Sequence, residues 1–273
     1  SEKYKIDHIN LPLFYYRRHG SNMTESSERI FIARRDIKHF KAKDSFDEHH
    51  PIIAVIPCRQ HYDFIPDLWS AKIGNQTLLE LNLRKCISSQ LFTDIVVLSD
   101  TDAVNEIIEK CNDSRIKYVH RPSNMTIRSC PLADSLSLVN EHVENFRNGI
   151  TVLPYIQAAF TTVQSIEESI TTLIINHADS SVAMDEMQSP IYQRSSFGLI
   201  PIGNSHASSN GFSKLYAESR TCQAALNVNI LRGALVGSRV VHFEIPHKES
   251  FFIKNKADIE IATLLNYLPK TKS

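Results

Sequence analysis

Two arginines close short apolar runs in positions suited to holding an anion. Arg59 ends PIIAVIPCR and Arg121 ends RIKYVHR. A guanidinium fork matches phosphate and carboxylate oxygens, and ligands of open α/β sheets bind beyond the carboxyl ends of the strands. The plainer alternative is an arginine that pairs with a nearby carboxylate or caps backbone carbonyls. Asp100-Thr101-Asp102 follow another apolar run, DIVVLS. Two carboxylates so spaced could hold a divalent cation, which takes oxygen ligands; Asp100 or Thr101 could instead N-cap the next helix, and the cap is the favoured reading. His61, near Arg59, could bind an anion or move a proton. His49 and His50 precede the first run, but the 12 histidines form no spaced cluster. Spacing alone gives no Ser-His-Asp or Cys-His arrangement. Cys58, at the end of an apolar run, reads as core.

The elements that must position these residues alternate. PIIAVIPC is Ile/Val-rich enough for a central parallel strand covered on both faces. TLLELNLRKCISSQ then places Leu79, Leu83, Cys86 and Ile87 at helical spacing. DIVVLSD reads as a strand, TDAVNEIIEKC as a helix, RIKYVHR as a strand, LADSLSLVNEHVENF as a helix and GITVLPY as a strand. SIEESITTLII and SSVAMDEM continue the pattern as helix and strand. The expected fold class is α/β: a Rossmann-like, mainly parallel sheet, doubly wound, with helices on both faces. Residues 189–211 lose periodicity and predict a long loop or an excursion from the core. Order returns with AALNVNIL, VVHFEI and a closing helix near ADIEIATLLNYL.

Composition sets the limits. The 273 residues suit one large domain behind a short leader, and no internal repeat divides them. Thirty basic residues balance thirty acidic ones, so no global field attracts nucleic acid or anionic lipid, and an anionic ligand must be held locally. The five cysteines, Cys58, Cys86, Cys111, Cys130 and Cys222, have no metal spacing and read as reduced thiols, which suits a cytoplasmic protein. No apolar run is long enough for a membrane span. The Asn-x-Ser/Thr triplets at Asn22, Asn75, Asn112 and Asn124 are then chance matches.

With this framework in place, an ordered set of motifs resembles a known family. A strand ending Ile56-Pro57-Cys58-Arg59, the pair Ile65-Pro66, and Gly74 before an apolar helix are similar to the CMP-sialic acid synthetases and related 3-deoxy-ulosonate cytidylyltransferases. The strand end at Ser99, the pair Arg121-Pro122 and the closing EIPHKESFFIKNKADIEIA extend the resemblance over residues 51–268. It implies a nucleotidyltransferase fold, a homodimer, a nucleotide or nucleotide-sugar partner, and nucleotide contacts at Arg59, Arg121, Lys72 and Ser99. Much of the family's chemistry is absent, however. Where its glycine- and lysine-rich phosphate loop belongs, the chain has Gln60, His61, Tyr62, Asp63 and Phe64. Asp63 and Leu68 stand at the two lysine positions and Trp69 at an asparagine position. One charge pair at ~4 Å is worth about 4 kcal/mol at an effective dielectric of ~20, so losing two cations is costly; Lys72 is the nearest substitute. The two aspartates that hold Mg²⁺ in the family align with Phe252 and Lys254, in register with Pro246 and Ser250. Neither can ligate Mg²⁺, so no metal residues are expected, although Glu249 or Asp258 could be repositioned. Tyr155-Ile156-Gln157-Ala158-Ala159-Phe160-Thr161 and Gln223-Ala224-Ala225 replace other polar family motifs.

Residues 11–24, LPLFYYRRHGSNMT, resemble the closing segment of family-2 glycosyltransferase domains, so residues 1–48 read as a leader or linker and residues 49–273 as the cytidylyltransferase-like domain. The cluster Arg34, Arg35, Lys38, Lys41 and Lys43 suits an exposed linker. Three function classes remain. The favoured one is a non-catalytic relative that binds or dimerises, perhaps serving a glycosyltransferase domain. The others are a working Mg²⁺- and CTP-dependent cytidylyltransferase making a CMP-activated ulosonic acid, and a nucleotide-sugar-dependent glycosyltransferase using Asp100 and Asp102. No catalytic residue can be assigned.

Overall fold

The computed structural model describes residues 27–187, 191–202 and 215–267. The glycosyltransferase-like segment 11–24 lies outside them. In chain order the elements are α1 (Ser27–Ala42), β1 (Ile52–Cys58), β2 (Lys72–Ile73), β3 (Gln76–Thr77), α2 (Leu78–Ser88), β4 (Asp94–Ser99), α3 (Asn105–Cys111) and β5 (Ile116–His120). These are followed by α4 (Leu132–Ser137), β6 (Ile150–Pro154), α5 (Val163–Ile175), β7 (Ser180–Glu186), β8 (Ile191–Ser195) and β9 (Gly198–Ile202). The chain closes with β10 (Tyr216–Leu226), α6 (Asn227–Ile230), β11 (Val240–Glu244) and α7 (Lys256–Tyr267).

Seven strands form one sheet in the order β11-β7-β10-β6-β1-β4-β5. Parallel ladders join β1 to β4 and β6, β4 to β5, and β11 to β7, while β10 runs against both its neighbours. The expectation of a mainly parallel α/β sheet therefore holds. All seven residues of β1 are buried, and they divide by parity. Ile52, Ala54, Ile56 and Cys58 pack with α2, α5 and α7. Ile53 and Val55 pack with Leu136 of α4, Phe146 and Ile230 of α6. Alternate side chains of a strand point to opposite faces, so a continuous apolar run needs helices on both. The chain leaves β1 toward β4 on one side and later returns to β6 on the other, which makes the carboxyl end of β1 a topological switch point.

Helix ends follow local chemistry. Thr77 and Glu80 form a reciprocal capping box at α2, with Thr77 N–H donating to Glu80 Oε2 at 2.7 Å and Glu80 N–H to Thr77 Oγ1 at 3.2 Å. LADSLSLVNEHVENF, expected as one helix, is the short α4 followed by two 3₁₀ turns. The tighter turns bring Leu136, Val139, Val143 and Phe146 onto one core face, and Asn145 breaks the run with a positive φ. Within the expected excursion, β8 and β9 form an antiparallel hairpin carrying exposed Tyr192, Phe197, Leu199 and Ile200. The five cysteines are free, and among the described residues no helix is long and apolar enough to cross a membrane.

The basic cluster expected on an exposed linker has a different role. Lys41 and Lys43 are exposed, but Arg34, Arg35 and Lys38 lie on the side of α1 that packs on α5. There Glu168, 2% exposed, collects all three. Lys38 Nζ donates to Glu168 Oε1 at 2.7 Å and Arg35 Nε to Oε2 at 2.9 Å. Arg34 Nε sits 3.2 Å from Oε1 without hydrogen-bond geometry, a purely Coulombic pair. Arg35 also approaches Glu249 at 3.6 Å, and Glu249 accepts from Ser165 Oγ at 2.6 Å. The helical spacing of these cations answers one buried charge, which local sequence cannot reveal. Removing one side of a buried ion pair typically costs about 3–5 kcal/mol. Glu168→Gln is expected to destabilise the fold by about 3 kcal/mol in urea unfolding, and so is deletion of residues 1–48. Combined, they should cost far less than their sum, because each removes the other's partner.

Candidate functional site

Beyond the carboxyl ends of β1, β5 and β6, and beside β10, lies a crevice of about 390 Å³. Arg59, Arg121, Arg128 and Arg220 line it together with Tyr62, Tyr155, Gln157 and Cys130. Among the described residues no Asp or Glu lines it. The sheet delivers these groups: Arg59 follows β1 directly, Arg121 follows β5, Tyr155 follows β6, and Arg220 projects from β10 where its register with β7 is interrupted.

The arginines differ in what they hold. Arg121 is 7% exposed; its Nε donates to Ser135 Oγ at 2.9 Å and its Nη2 to the Met125 carbonyl, while its backbone N–H binds Ser99 O. Burial pushes its pKa down, and Cys130, Asp100 and Tyr62 push the other way. Arg59 stacks over the Tyr62 ring at 4.6 Å and gives one N–H to Thr126 O at 3.3 Å. Each therefore caps a carbonyl, as the plainer reading expected, yet neither has a carboxylate partner among the described residues. Arg128 is ion-paired with exposed Asp63, which holds that carboxyl below the usual range. Arg220 is exposed and makes no ion pair or hydrogen bond among the described residues. Burial raises the pKa of Tyr62, and that of Tyr155 is pushed up to about 12, again mainly by burial, so both phenols stay protonated.

Of the four residues expected to contact a nucleotide, the fold brings Arg59 and Arg121 together in this crevice. Ser99 and Lys72 do not line it. Ser99 is fully buried at the end of β4, its Oγ accepting from Thr101 N–H at 3.3 Å. Lys72 is exposed on β2. His61 is exposed and paired in a bridge with Pro66. Arg128 and Arg220 escaped sequence reading because neither ends an apolar strand; only the turn after β5 and the interruption of β10 bring them in.

The segment after Arg59 closes on itself. Tyr62 N–H donates to Ile65 O, Asp67 N–H to Gln60 O, and Gln60 N–H to Asp100 Oδ1, at 3.2, 2.6 and 2.7 Å. A phosphate cradle needs free amides converging on an anion, and these three are spent internally. Asp100 and Asp102 are likewise engaged, Asp102 accepting from Tyr118 Oη at 2.7 Å, and Thr101 caps the turn at Ala103. The N-cap reading of Asp100-Thr101-Asp102 thus falls to Thr101. Nor do the residues fit a Mg²⁺ site. Phe252 and Lys254 stand at the relevant positions, Glu249 is bound to Thr162 and Ser165, and Asp258 caps the start of α7 through Lys254 and Asn255 N–H. Among the described residues no group of three or more His, Cys, Asp or Glu is placed to hold a metal.

No family model matches the sequence, and no curated protein matches it. Solved structures do match in fold. The 4-diphosphocytidyl-2C-methyl-D-erythritol synthase of Anaerococcus prevotii superposes with a TM-score of 0.59 at 13% identity, over 81% of this chain and 98% of that one. CMP:2-keto-3-deoxy-manno-octonic acid synthetase complexed with CTP gives 0.59 at 11% identity, over 79% and 98%. The chain shares the Rossmann-like, mainly parallel α/β fold of these two enzymes.

One partly buried cation holds a segment beside the crevice. Lys85 of α2 donates to the carbonyls of Ala158 and Ala159, at 3.2 and 2.9 Å, and so fixes the segment that carries Gln157. Burial lowers its pKa from 10.5 to about 8. The folded chain then binds fewer protons than the unfolded one between those values, so the cost of the buried charge is full below pH ~8 and fades as pH rises. Urea unfolding at pH 7 and pH 10 should show the native protein gaining about 2 kcal/mol relative to Lys85→Met over that interval. Ionising cysteines act on both proteins and cancel in the difference.

Proposed function

We propose that this chain is a nucleotide- or nucleotide-sugar-binding module of the cytidylyltransferase type, from the chemistry of CMP-activated acidic sugars, and that it does not turn over. The observation that carries this reading is the crevice at the switch point, rich in arginine and lined by no carboxylate among the described residues, next to a loop in which the amides of Gln60, Tyr62 and Asp67 are already bonded. The fold offers the binding edge, but activity resides in the site rather than the fold. Here the groups that would orient a triphosphate and hold its metal are replaced by Asp63, Phe252 and Lys254. Two alternatives have less support: a working cytidylyltransferase needs the absent groups, and Asp100 and Asp102 already accept from Gln60 and Tyr118 and belong to no group of three or more metal-ligating side chains among the described residues. A cytoplasmic setting suits five free thiols, and a glycosyltransferase partner rests on the resemblance at residues 11–24.

Incubation with CTP, Mg²⁺ and an ulosonic acid should release no pyrophosphate above background, while isothermal titration should detect CMP or a CMP-sugar. Mg²⁺ alone should leave the melting temperature unchanged. Tight Mg²⁺-dependent CTP binding with pyrophosphate release would overturn the proposal.

The module is further proposed to act as a homodimer through the β8–β9 hairpin, where Leu199 and Ile200 are 70% and 55% exposed. Exposed apolar patches of this kind commonly mark contacts. Sedimentation velocity should give a dimer for the native chain and a monomer for the double variant Leu199→Ser, Ile200→Ser.

A further inference from the structure

The four arginines of the crevice carry more information than the fold does. Acidic groups reach it only from outside its lining: Asp63 pairs with Arg128, Asp100 acts on Arg121, and Glu218 acts on Tyr155. Arg59, Arg121 and Arg220 have no carboxylate within ion-pair distance among the described residues. An arginine as buried as Arg121, 7% exposed, is normally paired. Its Nε and Nη2 are bonded to Ser135 and Met125, while Nη1 makes no hydrogen bond among the described residues. A cavity wall with this much uncompensated positive charge, and no carboxylate to ligate a cation, is complementary to an anion and hostile to a metal complex.

We infer that Arg59, Arg121 and Arg220 form a metal-independent receptor for the phosphate of a phosphate ester or diphosphate, the guanidinium groups supplying the charge that a bound cation would supply elsewhere. This rests on the crevice of the proposed function but concerns only its anion. The free anion is the ligand, and its Mg²⁺ chelate is rejected, because the chelate presents a cation and its waters to a wall that offers donors and no acceptor charge. Arg59 lies over the Tyr62 ring and donates to Thr126 O, and Arg121 is held by Ser135, so two of the three forks are fixed before the ligand arrives. Exposed Arg220 closes from the β10 side.

The test uses the full chain, at constant ionic strength in EDTA, titrated calorimetrically with inorganic phosphate, pyrophosphate and CMP. Each should bind, and Arg220→Gln and Arg59→Gln should each weaken pyrophosphate by about tenfold, the loss of one charge-assisted contact. Because the Arg220 guanidinium makes no hydrogen bond among the described residues, Arg220→Gln should melt like the native protein, which separates a binding defect from misfolding. Excess Mg²⁺ should weaken pyrophosphate binding. The inference is overturned if no probe binds, if binding requires Mg²⁺, or if both variants bind as the native chain does. CMP binding no tighter than phosphate would remove the nucleotide reading and leave the anion receptor. CMP binding that ignores both substitutions would do the reverse.

Discussion

The burial of β1 on both faces is the constraint on which the rest of the structure depends. A strand with no solvent face must satisfy its backbone through neighbours on both sides and its side chains through helices above and below. Parallel pairing with β4 and β6 supplies the first, and the two core clusters divided by residue parity supply the second. The exit of such a strand is where the packing ends and polar groups can gather. Arg59 stands at that exit because the apolar run stops there.

Charge is balanced over the whole chain but not locally. On the α1–α5 side buried Glu168 gathers three cations, and Glu244 and Glu249 pair further with Arg34 and Arg35. In the crevice four arginines share one paired carboxylate, that of Asp63. The first arrangement is self-compensating and therefore structural: its charges satisfy one another and leave nothing for a ligand. The second leaves Coulombic attraction unspent, and unspent attraction is what recognition uses. The same residue type thus has opposite meanings at Arg35 and Arg220, and the difference lies in the neighbours.

The loop after β1 is tied down by its own hydrogen bonds and one ion pair. The amides of Tyr62, Asp67 and Gln60 bond to Ile65, Gln60 and Asp100, and Asp63 reaches Arg128. Nothing in the strand order or the capping interactions requires an open phosphate cradle at this position, so scaffold and loop chemistry can vary separately. Fold similarity at 13% and 11% identity is consistent with that independence of scaffold and site.

The sequence by itself determined the alternation of strands and helices, the burial of β1, and the presence of Arg59 and Arg121 at strand ends, because these follow from local periodicity and from where apolar runs stop. It also determined that Asp63, Phe252 and Lys254 stand where the family it resembles carries phosphate- and metal-binding residues, which is a matter of identity at a position. It left the antiparallel β10 undrawn, since YAESRTCQAAL alternates weakly and its pairing with β6 and β7 is set across long sequence separations. Only the tertiary structure decided that Arg34, Arg35 and Lys38 meet Glu168, that Ser99 is sealed in the core, and that Arg128 and Arg220 join the crevice. The physical reason is common to all of these: a charged side chain takes its role from the groups within a few ångströms, and those come from strands and helices far away in the chain.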